Sequence, residues 1–519
     1  MPDFVALEER LLKDWDQKGI VKKYLDKNSK SKKKFSFLDG PITANNPMGV
    51  HHARGRTYKD LWQRYMTMKG YRQRYQNGFD CQGLWVEVEV EKHLGFKSKK
   101  DIQKYGVENF VNQCKAWVNQ YSEIQTRQSQ RLGMWMDWDN SYFTMSDANN
   151  YAVWNFLKVC HQRGWLYKGH DSVPWCPRCE TAISQHEMLT EDYKQVTHKA
   201  IYFTLPLINQ ASESLLVWTT TPWTLPANIA VAVDQTLNYS LVELKSGQRY
   251  WLLQPLVKSV LGADLKKIIK TVKGKVLVGL KYTGPFDDLP AVAKVKTANP
   301  DTFHTVIPTD PLIMPISKTE GTGLIHTAVS AGTEDYQLGQ ILKLPLIPVI
   351  KDNADYFDGF GSLSGKNAKT HPEIIFDYLA KNWIYKIHDY SHRYPACWRC
   401  KTELVWKVTD EFYLAMDKPD PTDKKNRTLR QQLIKITKNI RWIPEFGLER
   451  ELDWLNNMHD WLISKKNRFW GLALPIYECP HCRSFEVIGS QEELKQKAVS
   501  GWDRFAGHTP HKPWIDYVK

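Results

Sequence analysis

No run of 18 or more apolar residues occurs in the 519-residue chain, so the sequence offers no transmembrane helix. Residues 1–19 lack the apolar core of a signal peptide. Asp3, Glu8, Glu9, Asp14 and Asp16 exclude the acid-poor composition of a transit peptide. The location expected by default is the cytoplasm. Internal repeats and low-complexity tracts are also missing, which excludes a solenoid and a disordered tail. Cysteine is scarce at nine copies, an odd number, and a cytoplasmic chain is not expected to carry structural disulfides. Acidic residues are outnumbered, 57 against 71 basic, for a net charge of +14. That balance fits a polyanionic partner, or solubility alone.

What is present suffices for real cores. Hydrophobic residues make up 42% of the chain, and the length implies roughly three or four domains. The 21 tryptophans are expected mainly in cores and pocket walls. Six of the nine cysteines fall in three Cys-x-x-Cys pairs: Cys176/Cys179, Cys397/Cys400 and Cys479/Cys482. This spacing is a metal-ligand pattern. Cys114 and Cys160 lie in helical patterns and are expected to be buried packing residues.

Along the chain, residues 4–26 read as an amphipathic helix with Leu7, Leu11, Leu12 and Trp15 on one face. A basic linker, Lys30 to Lys34, follows. Residues 35–41 read as a short strand ending in a turn, and a helix is expected from about Ala53, with Tyr58, Leu61 and Tyr65 at helical spacing. A second strand covers about Arg72 to Tyr75 and ends at Asn77-Gly78-Phe79-Asp80. Strand, loop, helix and strand in this order predict a βαβ unit and a parallel sheet, with ligands at the strand C-termini. Helices are expected over 101–132 and 150–163. From about Lys199 the pattern turns β-rich, with expected strands at 201–204, 215–218, 229–233, 250–253, 275–280 and 292–295. The boundaries that result are 1–34, 35–195, 196–388, 389–475 and 476–519.

Two of the cysteine pairs, 176/179 and 397/400, flank the β-rich region. Sharing one ion, they would clamp its two ends in a closed four-thiolate zinc site of structural type. The third pair, Cys479 and Cys482, has no second half in the sequence. Either His508 and His511 complete it, or its partners lie beyond residue 519.

Between the first strand and its helix sits Pro47-Met48-Gly49-Val50-His51-His52. A helix N-terminus offers free N–H groups and a positive dipole end, which suits phosphate. Gly49 permits close backbone approach. His51 and His52 could donate to phosphate oxygens and stabilise charge developing on a transferred α-phosphate. Asp80, at the end of the next strand, could hold a substrate ammonium.

These segments together resemble the class I aminoacyl-tRNA synthetases of the isoleucine branch. Residues 39–47 are similar to the family's first-strand signature, and its His-Ile-Gly-His signature falls on Gly49-Val50-His51-His52, with the last His retained at His52. Residues 77–84 resemble the family's strand end whose aspartate binds the amino group, which implies that role for Asp80. Gly40 and Pro41 map to backbone lining the same pocket. Residues 131–138, 460–464 and 468–471 also look like this branch. Trp218-Thr219-Thr220-Thr221 through Asn228, and Gly321 through Tyr336, resemble the two peptides of the family's inserted editing domain. The resemblance implies that Asp335 grips the ammonium of a misattached amino acid. Thr219, Thr220, Thr221, Asn228 and His326 would line the pocket and position water. Isoleucine and valine differ by one methylene, worth only about 1–3 kcal/mol in a hydrophobic pocket. A second, hydrolytic sieve is therefore needed.

The expectations are an α/β fold, namely an incomplete Rossmann-type class I synthetase catalytic domain with an inserted β-rich editing domain and zinc knuckles. The partners implied are tRNA(Ile), ATP with Mg²⁺, and L-isoleucine, with Zn²⁺ in one complete four-cysteine site and one half site, no membrane, and a monomeric state. The family's Lys-Met-Ser-Lys-Ser loop is not found. Ser29 to Lys34, Lys97 to Lys100 and Ser464 to Lys466 are basic but lie elsewhere in the order. The chain is accordingly expected to be the N-terminal part of a longer enzyme. The competing readings are the valine enzyme of the same class, and a stand-alone editing hydrolase or zinc-stabilised RNA-binding protein.

Overall fold

A computed structural model describes residues 3–38, 40–184, 187–188, 193–210 and 212–519. Asp39, the first residue of the 39–47 segment, lies outside the described residues. The chain divides into two units, Met1–Tyr167 with Tyr413–Lys519, and Lys168–Phe412.

The first unit opens with α1 (Phe4–Gln17) and α2 (Ile20–Asp26). The single helix expected over 4–26 is broken at Gly19, whose φ of 60° ends one helix and starts the next. β1 (Lys34–Leu38) and β2 (Ile42–Thr43) run parallel to the same side of β3 (Arg72–Asp80), interrupted at Gly40 and Pro41. α3 (Val50–Met68) forms the crossover. Past α4 (Leu84–His93), α5 (Lys99–Tyr105) and α6 (Val107–Arg131), β4 (Asp137–Phe143) pairs with the other side of β3, also in parallel, and leads to α7 (Asp147–Gln162). The expected parallel βαβ unit is present. The helix expected over 101–132 is two helices, because Gly106 at φ 98° closes α5 and opens α6. Cys114 and Cys160 are buried, as their helical positions imply.

α3 departs from the usual amphipathic logic. Tyr58, Leu61 and Tyr65, whose spacing marks the helix, are 58%, 64% and 48% exposed. Its buried positions are Arg56, Asp60, Gln63 and Thr67. They are buried because each has polar work inside. The Arg56 guanidinium donates to Asn77 Oδ1 with two nitrogens, both at 3.2 Å. Asp60 pairs with Arg64 at 2.5 Å and accepts from the Trp135 N–H at 3.3 Å.

The core of this unit is built on α4, α6 and α7, with Phe110, Val118 and Trp154 fully enclosed. An ion triad is embedded in it. Lys99 Nζ lies 3.0 Å from Glu87 Oε1 and 2.7 Å from Glu91 Oε1, and all three side chains are buried. Burial alone would lower the lysine pKa, but Glu87 and Glu91 outweigh it and the pKa is raised.

In the second unit, β5 (Leu166–Cys176), which carries the chain in from the first, pairs with β6 (Thr181–Ala182). β7 (Tyr193–Pro206) then leads into a mixed sheet. This contains β8 (Glu213–Thr219), β9 (Ala230–Val233), β10 (Asn238–Leu244), β11 (Arg249–Leu253), β12 (Leu265–Lys273), β13 (Thr305–Pro308) and β14 (Ile325–Thr327), in the order β12-β10-β11-β8-β14-β9-β13. β15 (Ile384–Pro395) returns antiparallel along β7, and β16 (Val405–Leu414) follows. The unit reaches beyond 196–388 on both sides. The reason is the β7/β15 ribbon, paired from Phe203 opposite Ile384 to Tyr193 opposite Pro395, which draws both flanking cysteine pairs into the same body.

Two expected strands are absent. Residues 292–295 lie in the helix Pro290–Ala298, where Pro290 occupies the first turn it favours. Lys275 lies in a short 3-10 turn, Gly274–Val276, rather than a strand over 275–280. Among the described residues no helix is long and apolar enough to cross a membrane.

Replacing Lys99 with methionine strands two buried carboxylates. We expect a loss of about 3–5 kcal/mol in unfolding free energy, measured by urea denaturation; a change under 1 kcal/mol would contradict the triad's role.

Candidate active sites

The first site forms at the C-terminal end of β3. Thr43 stands opposite Asp80 in the β2/β3 register, and its hydroxyl donates to Asp80 Oδ2 at 3.2 Å. Ala44 N–H donates to the Asp80 carbonyl at 2.9 Å. Burial raises the Asp80 pKa, moderated by bonds from Thr43, the Gln82 backbone and Thr144. Hydroxyl and backbone donors hold the carboxyl. Gly40 and Pro41 fall in the break between β1 and β2, just before Ile42 and Thr43 pair with Phe79 and Asp80. Gly78 is required for space, since a Cβ there would stand 2.1 Å from the Tyr142 ring.

The loop from β2 to α3 is tied down by α6. Gln125 Nε2 donates to the carbonyls of Thr43 at 2.9 Å and Asn46 at 2.7 Å. Trp117 Nε1 donates to Asn45 O at 2.9 Å, and Gln128 Oε1 accepts from Met48 N–H at 2.8 Å. Gly49 caps α3, and its N–H donates to His52 Nδ1 at 3.1 Å. That bond leaves His52 Nε2 as the N–H donor, the tautomer a phosphate oxygen requires. Burial, with His51, Arg56 and Lys59, lowers the His52 pKa, so the ring is a neutral donor near neutral pH. His51 is exposed and its ring lies 3.9 Å from that of His52. Gly49, His51 and His52 therefore share one helix N-terminus.

Four side chains of this unit are given no role at this site by sequence reasoning. Trp470 is fully buried, donates to Cys81 O at 2.6 Å and accepts from Gly83 N–H at 2.9 Å through its backbone. His511 stacks on it at 4.9 Å and stands 2.5 Å from Gln82 Nε2. Gln125 and Gln128, one helical turn apart and holding the loop, had a findable signal in their polar spacing on a core helix.

The second site is in the second unit. β14 lies between β8 and β9, with Ile325 opposite both Trp218 and Ala232, and His326 opposite Val231. This puts Thr219, the residue after Trp218, level with His326. Thr219 Oγ1 accepts from Thr221 N–H at 3.1 Å. His326 Nε2 lies 2.9 Å from Thr224 Oγ1, whose own proton goes to Thr221 O at 2.9 Å. His326 Nδ1 accepts from Asn228 Nδ2 at 2.7 Å. Burial pushes the His326 pKa down to about 3, so the ring is neutral. Thr220 is half-buried beside these residues. Asp335 lies in the first turn of the helix Thr333–Ile341, and its Oδ1 accepts from Ala328 N–H, just past β14, at 2.7 Å. Its other oxygen closes over Gly332, where a Cβ would meet it at 2.2 Å. Burial raises the Asp335 pKa to about 7.

Thr219, Thr221, Asn228, His326 and Asp335 are thus brought to one strand end, with no side-chain nucleophile among them. An enclosed carboxyl beside oriented hydroxyls and a neutral imidazole can hold an ammonium and order water. Thr224, unassigned from sequence although within the threonine-rich peptide, is the hydroxyl that links His326 to that peptide.

The sulfurs of Cys176, Cys179, Cys397 and Cys400 lie within 4.8 Å of one another. Tetrahedral zinc with sulfur at 2.3 Å spaces its ligands about 3.8 Å apart, so the set fits a metal. Their mutual contacts drive Cys400 and Cys397 down in pKa and Cys176 and Cys179 up. Glu180, Lys401 and Arg483, each just after the second cysteine of a pair, all have positive φ. Cys479–Cys482 therefore has the same turn, with Arg483 N–H on Cys479 O at 3.0 Å as Lys401 N–H is on Cys397 O at 2.8 Å. Among the described residues no third ligand joins it. The histidines weighed as its completion are engaged elsewhere, His511 with Trp470 and His508 stacked on Trp514 at 5.3 Å.

A parallel sheet with histidines at a helix N-terminus and an acid at the neighbouring strand end defines an α/β nucleotide-site protein, here joined to a β-rich unit with a four-cysteine cluster. The family model for tRNA synthetases class I (I, L, M and V) matches residues 10–508, and the chain belongs to this family. Isoleucine–tRNA ligase of Clostridium novyi (strain NT) is 36% identical over 519 residues, covering 100% of this chain and 47% of the relative. That of Methanothermobacter thermautotrophicus is 36% identical over 516 residues, covering 99% and 46%. That of Thermus thermophilus is 35% identical over 525 residues, covering 100% and 47%. The chain spans about half the length of the curated relatives it matches.

Asp335 gives a direct prediction. The folded chain keeps its proton to about pH 7, whereas the reference value is 3.8. Its contribution to stability therefore declines as pH rises across that interval. Carboxyl-labelled NMR should show Asp335 titrating near neutrality; a midpoint in the ordinary carboxylate range would refute the enclosure.

Proposed function

We propose that this chain carries the first half of the activation site and the hydrolytic pocket of an isoleucine–tRNA ligase. The observation that carries the reading is the enclosed Asp335 carboxyl on the Ala328 N–H, two residues past His326 on the strand that lies beside the threonine-rich peptide. In the pocket, Asp335 in its ionised form takes the ammonium of valine esterified to tRNA(Ile). The site's hydroxyls and the neutral His326 orient water toward the ester carbonyl. Valine fits and isoleucine is excluded by its extra methylene, which gives the second sieve that binding alone cannot supply.

At the other site Asp80 holds the ammonium of L-isoleucine, beside Gly40 and Pro41. His52 donates from Nε2 to the α-phosphate of ATP as the carboxylate attacks in line, and the α3 N-terminus adds its dipole. Magnesium carried with ATP supplies charge neutralisation. His51 borders the same phosphate site. Val50, Tyr58, Leu61, Trp62, Tyr65 and Met68 leave an apolar face of α3 exposed, which supports the view that ligation requires protein surface beyond that described. The ligase would act as a cytoplasmic monomer. Cys176, Cys179, Cys397 and Cys400 would hold Zn²⁺, which ties β5 to the end of β15. Cys479 and Cys482 would supply half of a second zinc site.

The purified chain is expected to deacylate Val-tRNA(Ile) but to give no isoleucine-dependent ATP–pyrophosphate exchange above background. Robust exchange would show the activation site complete as it stands, and absent deacylation would remove the hydrolytic reading. The deacylation rate should rise with pH through about 7 as Asp335 ionises. Asp335→Asn should flatten that limb and lower the rate roughly ten- to hundredfold, the worth of about 1.5–3 kcal/mol for a charged hydrogen bond. Metal analysis should find zinc that Cys397→Ser releases with a fall in Tm. The Cys479→Ser variant should retain that zinc; loss of metal there instead would misplace the site.

A further inference from the structure

Tyr282 is 1% exposed and belongs to none of the segments that mark the pocket. Its hydroxyl donates to Asn228 Oδ1 at 2.6 Å. The Asn228 amide nitrogen then has two acceptors, Ala230 O at 3.1 Å and His326 Nδ1 at 2.7 Å. His304 stacks on the Tyr282 ring at 4.6 Å, nearly parallel, and its Nε2 lies 3.3 Å from the Asn228 carbonyl. The ring therefore has little room to move. Turning the amide over would set its oxygen against the Ala230 carbonyl. The chain of donors has one direction: Tyr282 to Asn228, Asn228 to His326, His326 to Thr224, and Thr224 to the Thr221 carbonyl.

We propose that Tyr282 is a positioning residue of the hydrolytic pocket, whose hydroxyl holds the Asn228 amide so that His326 stays in the Nε2–H tautomer facing Thr224. The inference rests on the hydrolytic reading above and adds to it how the pocket's imidazole is oriented. Burial keeps the His326 ring neutral, so one nitrogen carries the proton and the other a lone pair. The Asn228 amide at Nδ1 and the Thr224 hydroxyl at Nε2 together select the tautomer. Without the hydroxyl, Asn228 Oδ1 is buried and unpaired, and the amide loses the contact that holds it in plane. The wrong tautomer would point a lone pair at Thr224, whose proton is already committed to Thr221, and the threonine peptide would lose its anchor.

The test compares the protein with Tyr282→Phe and Asn228→Asp. Nitrogen-15 NMR of the His326 ring reads the tautomer, and Val-tRNA(Ile) deacylation reads kcat and KM separately. The unsubstituted protein should show Nε2–H. Tyr282→Phe should show mixed tautomers and at least a tenfold lower kcat with KM changed less than threefold. Asn228→Asp keeps an acceptor for Tyr282 but can only accept at Nδ1, so it should move the proton to Nδ1 and lose kcat likewise. A wild-type tautomer in Tyr282→Phe, or full kcat in Asn228→Asp with the proton on Nδ1, would overturn the proposal. No deacylation by the unsubstituted protein would overturn the hydrolytic reading itself, and the proposal with it, whatever the NMR shows.

Discussion

A strand of three residues, Ile325–Thr327, governs the β-rich unit. It pairs parallel with β8 and antiparallel with β9 at once. Side chains alternate along a strand, so a slip of one residue would turn His326 to the opposite face and remove it from Asn228 and Thr224. The same strand ends where the Ala328 N–H meets Asp335. The pocket's imidazole, its threonines and its acid are therefore consequences of one register. The long strands around it, and the ribbon of β7 and β15, hold that register firm.

The two sites use one electrostatic device. Asp80 closes a strand and Asp335 opens a helix just past one, yet in each burial raises the pKa, and each accepts backbone N–H bonds that only partly offset the cost. A carboxylate kept in that state gains most from a cation that arrives with its own charge. On the reading offered, the cation is the same amino group, met first on the free amino acid and later on the esterified one. The interior triad of Lys99, Glu87 and Glu91 is the contrast. There the cation is built in, and lies against both acids before any ligand comes.

Much of this was legible in the residues. Cys-x-x-Cys spacing announced the four-cysteine cluster, because metal ligands on a tight turn must be that close in sequence. The strand-loop-helix order around Gly49 and His52 announced the helix start that carries them, since dihedral preference and capping act locally. What stayed hidden depends on contacts distant in sequence. Tyr282 meets Asn228 across 54 residues. His511 lies against Gln82, 429 residues away. At α3 the spacing of Tyr58, Leu61 and Tyr65 marked a helix that is present, while an internal arginine–asparagine network buries its polar face and leaves Tyr58 and Leu61 outside. At 292–295 the two valines suggest a strand, but Pro290 two residues earlier starts a helix.

The central claim is that the β-rich unit is a sieve for one methylene. The most direct measurement is the hydrolysis of valine and isoleucine esters on the same tRNA(Ile), side by side, by this protein. The account predicts that the valine ester is cleared while the isoleucine ester persists. Equal rates for the two esters would contradict it.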